Sequence, residues 1–278
     1  MAKYFRSIQA GRYRCDYTYS RVSRYDSDKA RNEKKRASSA AQKVVNDKLS
    51  RIQLTGILAE TFIDFPDSYF VTLTLDELHY PVTPRKSEIR AVMERHAANY
   101  LDRLRYQAKK RKTEVFSVWF IGIGEEGRFH IHLVLRGPSW EDIRDCWQLG
   151  NVDFHNLYSD KKWLADKKRN WWSHKTNRAN PVQIAKYAMQ NANERPVGKH
   201  PWHASRNCIR PKAHPAKIVS DATRIDIPEG AETFEKEEHS TVYGTYTVIE
   251  YILPVSHAGN CPAAAGPGKP RKKRQPRR

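Results

Sequence analysis

The run Trp119-Phe-Ile-Gly-Ile-Gly-Glu-Glu-Gly-Arg-Phe-His-Ile-His-Leu-Val-Leu135 holds the residues best suited to chemistry. Side chains alternate faces along a strand, so Phe129, Ile131, Leu133 and Leu135 point one way while Arg128, His130, His132 and Val134 point the other. Two imidazoles at i and i+2 on one strand face can chelate one divalent ion. A hard oxygen ligand beside them suits magnesium or manganese and leaves room for a phosphate oxygen. Glu125 continues the parity of Trp119, Ile121 and Ile123 and is the first choice for that ligand. Glu126 is the second, because a turn scrambles parity. An isolated His-x-His also occurs on ordinary half-exposed strands, so the reading depends on what surrounds it.

The elements that must position these groups alternate between helices and short strands. Residues 28–60 are rich in Ala, Lys, Arg and Gln without Pro and read as helical. Tyr69 to Leu75 is β-branched and aromatic and reads as a strand. Ile89, Val92, Met93, Ala97, Tyr100, Leu101 and Leu104 recur at helical spacing across Ser87 to Lys112. Glu114 to Ile123 and Arg128 to Arg136 read as strands joined in a hairpin through Gly124-Glu-Glu-Gly127. Ser139-Trp-Glu-Asp142 has capping-box form and opens a helix expected to stop near Gly150. A short strand over Asn151 to Tyr158 follows, then helices over Lys161 to Trp172 and Pro181 to Asn193, the second with Pro in its first turn. Thr241 to Leu253 is a strand or hairpin. Locally paired strands with helices between the others predict an α+β fold, a central mostly antiparallel sheet with flanking helices and the active site on one sheet face.

Composition narrows the function classes. The chain has 278 residues, 50 Lys plus Arg against 31 Asp plus Glu, and a formal net charge of +19. Such an excess suits a polyanionic partner, because neutralising phosphates releases condensed counterions. Residues 28–51 carry eight basic and three acidic groups, 85–112 carry ten and three, and 161–178 carry seven and one. The last ten residues add seven bases and no acid, whereas 221–250 hold eight acids and two bases. The acidic segment is therefore expected to lie away from any nucleic-acid face. This pattern predicts a basic N-terminal segment with a helix (1–60), a nicking domain (61–220), an acidic β-rich element (221–254) and a disordered basic tail (255–278). No run of about 18 apolar residues predicts a membrane span. The N-terminus lacks the apolar core of a secretory signal, and the four scattered cysteines suit reduced thiols, so a cytoplasmic setting is expected. Trp171 and Trp172, beside Lys167, Lys168 and Arg169, either stack on splayed bases in a basic groove or belong to the core. Arg128 joins the candidate DNA contacts on the histidine face.

Together these residues resemble the HUH endonucleases, the rolling-circle replication initiators of phages, plasmids and small DNA viruses, named for His-hydrophobic-His. His130-Ile131-His132 meets that pattern inside a strand. Phe70-Val-Thr-Leu-Thr74 resembles the family's first motif, and Trp147-Gln-Leu-Gly150 followed by Asn151-Val-Asp-Phe154 is similar to the segment before its tyrosine helix. The phage branch tends to read Tyr-x-x-Lys-Tyr-x-x-Lys there. Here Gln183-Ile-Ala-Lys-Tyr-Ala-Met-Gln190 matches with Lys186 and Tyr187, but Gln183 replaces the first Tyr and Gln190 the final Lys. The resemblance covers about residues 69–195.

It implies that Tyr187 is the nucleophile, that His130 and His132 hold Mg2+ or Mn2+, and that cleavage leaves a 5′-phosphotyrosine and a free 3′-hydroxyl. A phenolate is a good leaving group, which makes such a bond reversible. Lys186 points about 100° from Tyr187 on a helix and suits a phosphate contact better than a general base. The implied partner is single-stranded DNA at a replication origin. The sequence lacks GxxxxGK[ST], so a host helicase and polymerase are expected to complete the work. Tyr158-Ser-Asp-Lys161 is a second, lesser Tyr-x-x-Lys. The competing reading is a non-catalytic, basic protein that binds single-stranded nucleic acid.

Overall fold

The computed structural model describes residues 2–21, 46–124, 126–174, 177–191, 200–241 and 244–254. Its centre is a five-stranded sheet in the order β6-β3-β5-β4-β9, antiparallel throughout, formed by Val152–Asn156, Ser68–Thr74, Phe129–Arg136, Phe116–Ile123 and His203–Ala204. The expected hairpin joins β4 to β5. Gly124 N–H donates to Arg128 C=O at 2.9 Å, and Gly127 takes φ +76°, a conformation open to glycine because it has no Cβ. Each face of this sheet has its own helices, which gives an α+β architecture.

One face carries Val71, Leu73, Ile121, Ile131, Leu133 and Leu135 against the apolar stripe of α2 (Lys86–Lys110), whose Met93, Ala97, Tyr100 and Leu104 are fully buried. Burying a side chain of this size contributes roughly 1.5–3 kcal/mol, so β5 alone anchors the hairpin firmly. The opposite face carries Phe70, Val118, Phe120 and Val134 against α1 (46–61) and α5 (Pro181–Asn191). α1 is apolar on more than one side. Leu54, Ile57 and Leu58 face the central sheet, whereas Ile52 and Ala59 pack on Ile8, Tyr13, Cys15 and Val248 of a second sheet.

That second, six-stranded sheet runs β10-β1-β2-β13-β12, with β11 also paired to β1. Its strands are β1 Ala2–Ala10, β2 Tyr13–Arg21, β10 Lys212–Ala213, β11 Lys217–Val219, β12 Glu232–Thr241 and β13 Gly244–Ile252. The N-terminal hairpin had no counterpart among the expected elements. It meets the acidic C-terminal segment strand to strand, Tyr17 opposite Val248, so the two ends of the chain share one sheet. Residues 28–45, in the first half of the expected N-terminal helix, lie outside the described residues, as does the basic tail.

Two helices end earlier than their sequence patterns predict. α3 (Trp140–Asp145), capped by Ser139 Oγ accepting from Asp142 N–H, stops so that Trp147 can turn inward onto Tyr100 and donate its indole N–H to Thr74 C=O at 3.2 Å. α4 (Lys161–Leu164) is a single turn. The chain then reverses through Asn170 at φ +51°, and Trp171 N–H returns to Leu164 C=O at 2.8 Å. Burial of two adjacent indoles outweighs continuation of the helix. A small hairpin, β7 (Trp172–Ser173) with β8 (Arg178–Ala179), leads into α5.

Candidate active site

Register decides which groups share a face. His132 lies opposite Thr72 on β3 and Phe120 on β4, and His130 lies opposite Thr74 and Gly122. Both imidazoles therefore stand on the α1/α5 side of the sheet, with their rings 4.4 Å apart. Gly122 forms the floor between them. A Cβ there would lie 2.7 Å from Nε2 of His130 and 2.7 Å from Nε2 of His132, so both nitrogens converge over the same open spot. This register also corrects the parity argument for the acidic ligand. Trp119, Ile121 and Ile123 face α2, and the even positions of β4 share the histidine face. Glu125 itself lies outside the described residues, and Glu126 is exposed in the turn.

His132 is nearly sealed, 4% exposed, between Phe70 and Phe120 at ring distances of 5.4 and 5.0 Å. Its Nδ1 lies 3.1 Å from Thr72 Oγ1 and its Nε2 2.9 Å from the Tyr187 hydroxyl. When the phenol O–H donates to Nε2, Nδ1–H donates to Thr72, so one neutral tautomer satisfies both contacts. Burial, reinforced by the neighbouring His130, holds His132 well below the usual imidazole range, and burial also lowers His130. Both rings are thus kept in the form that can accept a proton or donate a lone pair to a cation.

Tyr187 arrives on α5, which opens at Pro181 with Asn180 Oδ1 accepting the Val182 N–H at 3.0 Å. Ile184, Ala185 and Ala188 bury the apolar side of the helix, and Tyr187 sits half-buried at its border. Trp171, 5.1 Å from the Tyr187 ring and 5.0 Å from Phe70, closes the back wall. Burial raises the phenol pKa, opposed by Asn191 and by the positive charge of Arg169. Gln183, where the resemblance has a further Tyr, is one turn earlier on the same side of α5.

Other predicted residues fall in different roles. Lys186 points away from Tyr187 and its Nζ pairs with Glu235 Oε1 at 2.5 Å. Glu235 also faces Arg51, which is bonded to the fully buried Glu250. The expectation that the acidic segment lies apart is therefore corrected. β12 packs beside the helix that carries Tyr187, and Glu232 accepts from Ser173 Oγ at 2.8 Å. The excess acid is absorbed locally, because Lys48, Arg51 and Lys186 neutralise it.

Trp171 and Trp172, at 4% and 7% exposure, are core and wall residues rather than exposed stacking platforms. Lys167 and Lys168 are exposed beside the site, and the Arg169 guanidinium lies over the Trp163 ring at 4.3 Å. Arg128 donates to Leu75 C=O at 3.1 Å and covers the Tyr80 ring. Tyr158 is exposed in the turn after β6. Sequence reasoning missed Gly122 and treated Thr72 as structural. The alternation of β3 and β4 was visible, but only the pairing register places them under the histidines.

Among the described residues no group of three or more His, Cys, Asp or Glu gathers in metal-binding geometry, and no helix is long and apolar enough to cross a membrane. Residues 68–194 match the family model for the ORF2-type replication-associated protein. The matched segment runs from β3 to beyond α5, so it contains both histidines, Thr72, Gly122 and Tyr187. The match supports a role in the initiation of replication, with DNA as partner, in a phage or plasmid context. No curated protein and no solved structure matches the chain.

Proposed function

We propose that the protein is an HUH-type DNA endonuclease and strand transferase that nicks single-stranded DNA at a replication origin through Tyr187 and starts rolling-circle replication. The observation that carries this reading is the 2.9 Å contact between the Tyr187 hydroxyl and His132 Nε2, on a strand face where His130 stands alongside. A phenol is a weak nucleophile with its proton on, and a neutral imidazole within hydrogen-bond reach is the group that can take it. In the step, Tyr187 Oη attacks phosphorus and its proton passes to His132 Nε2. The P–O3′ bond breaks, and the leaving 3′ oxygen ends as a hydroxyl after taking up a proton. The products are a 5′-phosphotyrosine and a 3′-hydroxyl that serves as primer. Thr72 keeps the His132 ring oriented through Nδ1.

The open spot over Gly122, flanked by two neutral Nε2 atoms, fits a divalent cation held by His130 and His132. The donor set favours manganese over magnesium, since imidazole is a softer ligand than carboxylate or water. Such a cation supplies Lewis-acid polarisation of a phosphate oxygen. His132 Nε2 has a single lone pair, so the Tyr187 contact and cation ligation are alternatives at that atom. Lys167, Lys168 and Arg169 border the site and suit phosphates of the bound strand. A separate helicase and polymerase supply unwinding and extension.

The test incubates the protein and Tyr187→Phe with manganese or magnesium and oligonucleotides tiled across the protein's own replicon, followed by a denaturing gel. A covalent adduct with the wild type and none with Tyr187→Phe is expected. An adduct that survives the substitution removes Tyr187 as nucleophile. Binding without an adduct in either protein favours the non-catalytic nucleic-acid-binding reading.

A further inference from the structure

A cavity of about 780 Å³ opens far from the imidazoles, between the C-terminal end of α2 and the segment after β9. Arg105, Lys109 and Lys112 line one side and Arg206 the other, all exposed. Among the described lining residues Glu114 is the only acid, and its Oε2 accepts from the Asn207 amide at 3.4 Å. Arg210 adds a cation at the rim, where it donates to Ala204 C=O at 3.2 Å. The apolar lining is small, Ala108, Val115 and Ala204, so the walls offer no slot for a large apolar ligand. An open trough of fixed positive charge suits a chain of phosphates.

Its position relates it to the chemistry. Val115 borders the trough and Gly122 lies under the histidines, both on the path of β4. At about 3.3 Å per residue the two ends are about 23 Å apart, close to seven base-pair steps of about 3.4 Å. Midway along the same sheet edge, Trp119 stacks on exposed His203 at 4.3 Å and 17°. Aromatic groups between a cationic trough and a cutting site form a path for a nucleic-acid strand.

We propose that this trough is a second DNA site, which grips the phosphate backbone of the segment flanking the nick about seven nucleotide steps away. The inference rests on the nicking reading for what it flanks, yet binding alone tests it. The full-length protein and an Arg105→Gln, Lys109→Gln, Arg206→Gln triple variant are titrated by fluorescence anisotropy with nick-site DNA. The DNA carries flanks of two to fifteen nucleotides on either side, single-stranded or duplex, over a range of salt concentrations. Flanks shorter than about four nucleotides should bind both proteins alike. Flanks longer than about eight, on one side only, should bind the variant with a log–log salt slope lower by about two to three, at about 0.7–0.9 for each phosphate no longer neutralised.

Equal weakening at every length, or none, overturns the proposal. Unchanged binding of long flanks with normal adduct formation sinks the trough and leaves the nicking reading standing. A length-dependent loss with no adduct from the wild type does the reverse. The three side chains are exposed, so a melting temperature matching the wild type verifies that the variant is folded.

Discussion

Gly122 is the position at which a single methyl group tests the whole arrangement. In Gly122→Ala the new Cβ would begin 2.7 Å from both Nε2 atoms and 2.8 Å from His132 Cδ2. Comfortable contact needs about 3.5 Å, so each ring must retreat by roughly 0.8 Å. His132 has little room to do so. Phe70 and Phe120 flank it, and Thr72 and Tyr187 hold its two nitrogens. Overpacking of this kind costs about 1–3 kcal/mol, and a 1 Å misplacement of reacting groups costs on the order of 100-fold in rate. The expected result is adduct formation slowed about 100-fold, manganese binding weakened in calorimetry, and a melting temperature lowered by several degrees. Gly124→Ala is the matched control. Its Cβ would meet His130 Cε1 at 3.5 Å, an ordinary contact, and should leave all three readings near wild type. If Gly122→Ala forms adduct within two-fold of the wild type, the two nitrogens do not act over that floor and the site geometry argued above is refuted.

Two further outcomes concern stability. Glu250→Gln leaves Arg51 beside a neutral amide and weakens the 2.7 Å bond from Tyr13 Oη, both inside the protein, so denaturant unfolding should show a loss of about 3–5 kcal/mol. A loss below about 1 kcal/mol would show that this buried pair does not hold the second sheet to α1. Acidification should act through His132. Its folded pKa lies below the unfolded value of about 6.5, so below that pH the unfolded chain takes up a proton the native ring refuses. Stability is then fully present above about pH 7 and declines as pH falls through 6.5, by at most about 1.4 kcal/mol per pH unit. Melting curves between pH 8 and pH 5 should bring the wild type and His132→Asn closer together as the pH drops. A gap that stays constant would mean the ring titrates normally.

Legibility from sequence followed the range of the interactions. Strand β5 could be read because its alternation is local, with Phe129, Ile131, Leu133 and Leu135 on the buried face. α2 could be read for the same reason, through its 3.6-residue stripe. α4 was overestimated because helix propensity carries no knowledge of where Trp171 and Trp172 must go, and their burial against Phe70 and α5 stops the helix after one turn. The N-terminal hairpin escaped notice since β1 and β2 find their partner, β13, more than 200 residues away. Glu125 was favoured on a parity that the β4–β5 register assigns to the other face.

By itself the sequence determined the chemistry available: two imidazoles on one strand face, a tyrosine on a later amphipathic helix, and enough positive charge to hold a polyanion. These follow from side-chain alternation, helical periodicity and composition, which depend on near neighbours alone. Tertiary structure decided which groups meet. It set Tyr187 against His132, opened the floor at Gly122, turned Lys186 onto Glu235 and folded the acidic strand beside α5. Each of these juxtapositions joins residues far apart in the chain. They are selected by cross-strand register and by the burial of α1 and α5 between sheets, terms to which no local window of sequence has access.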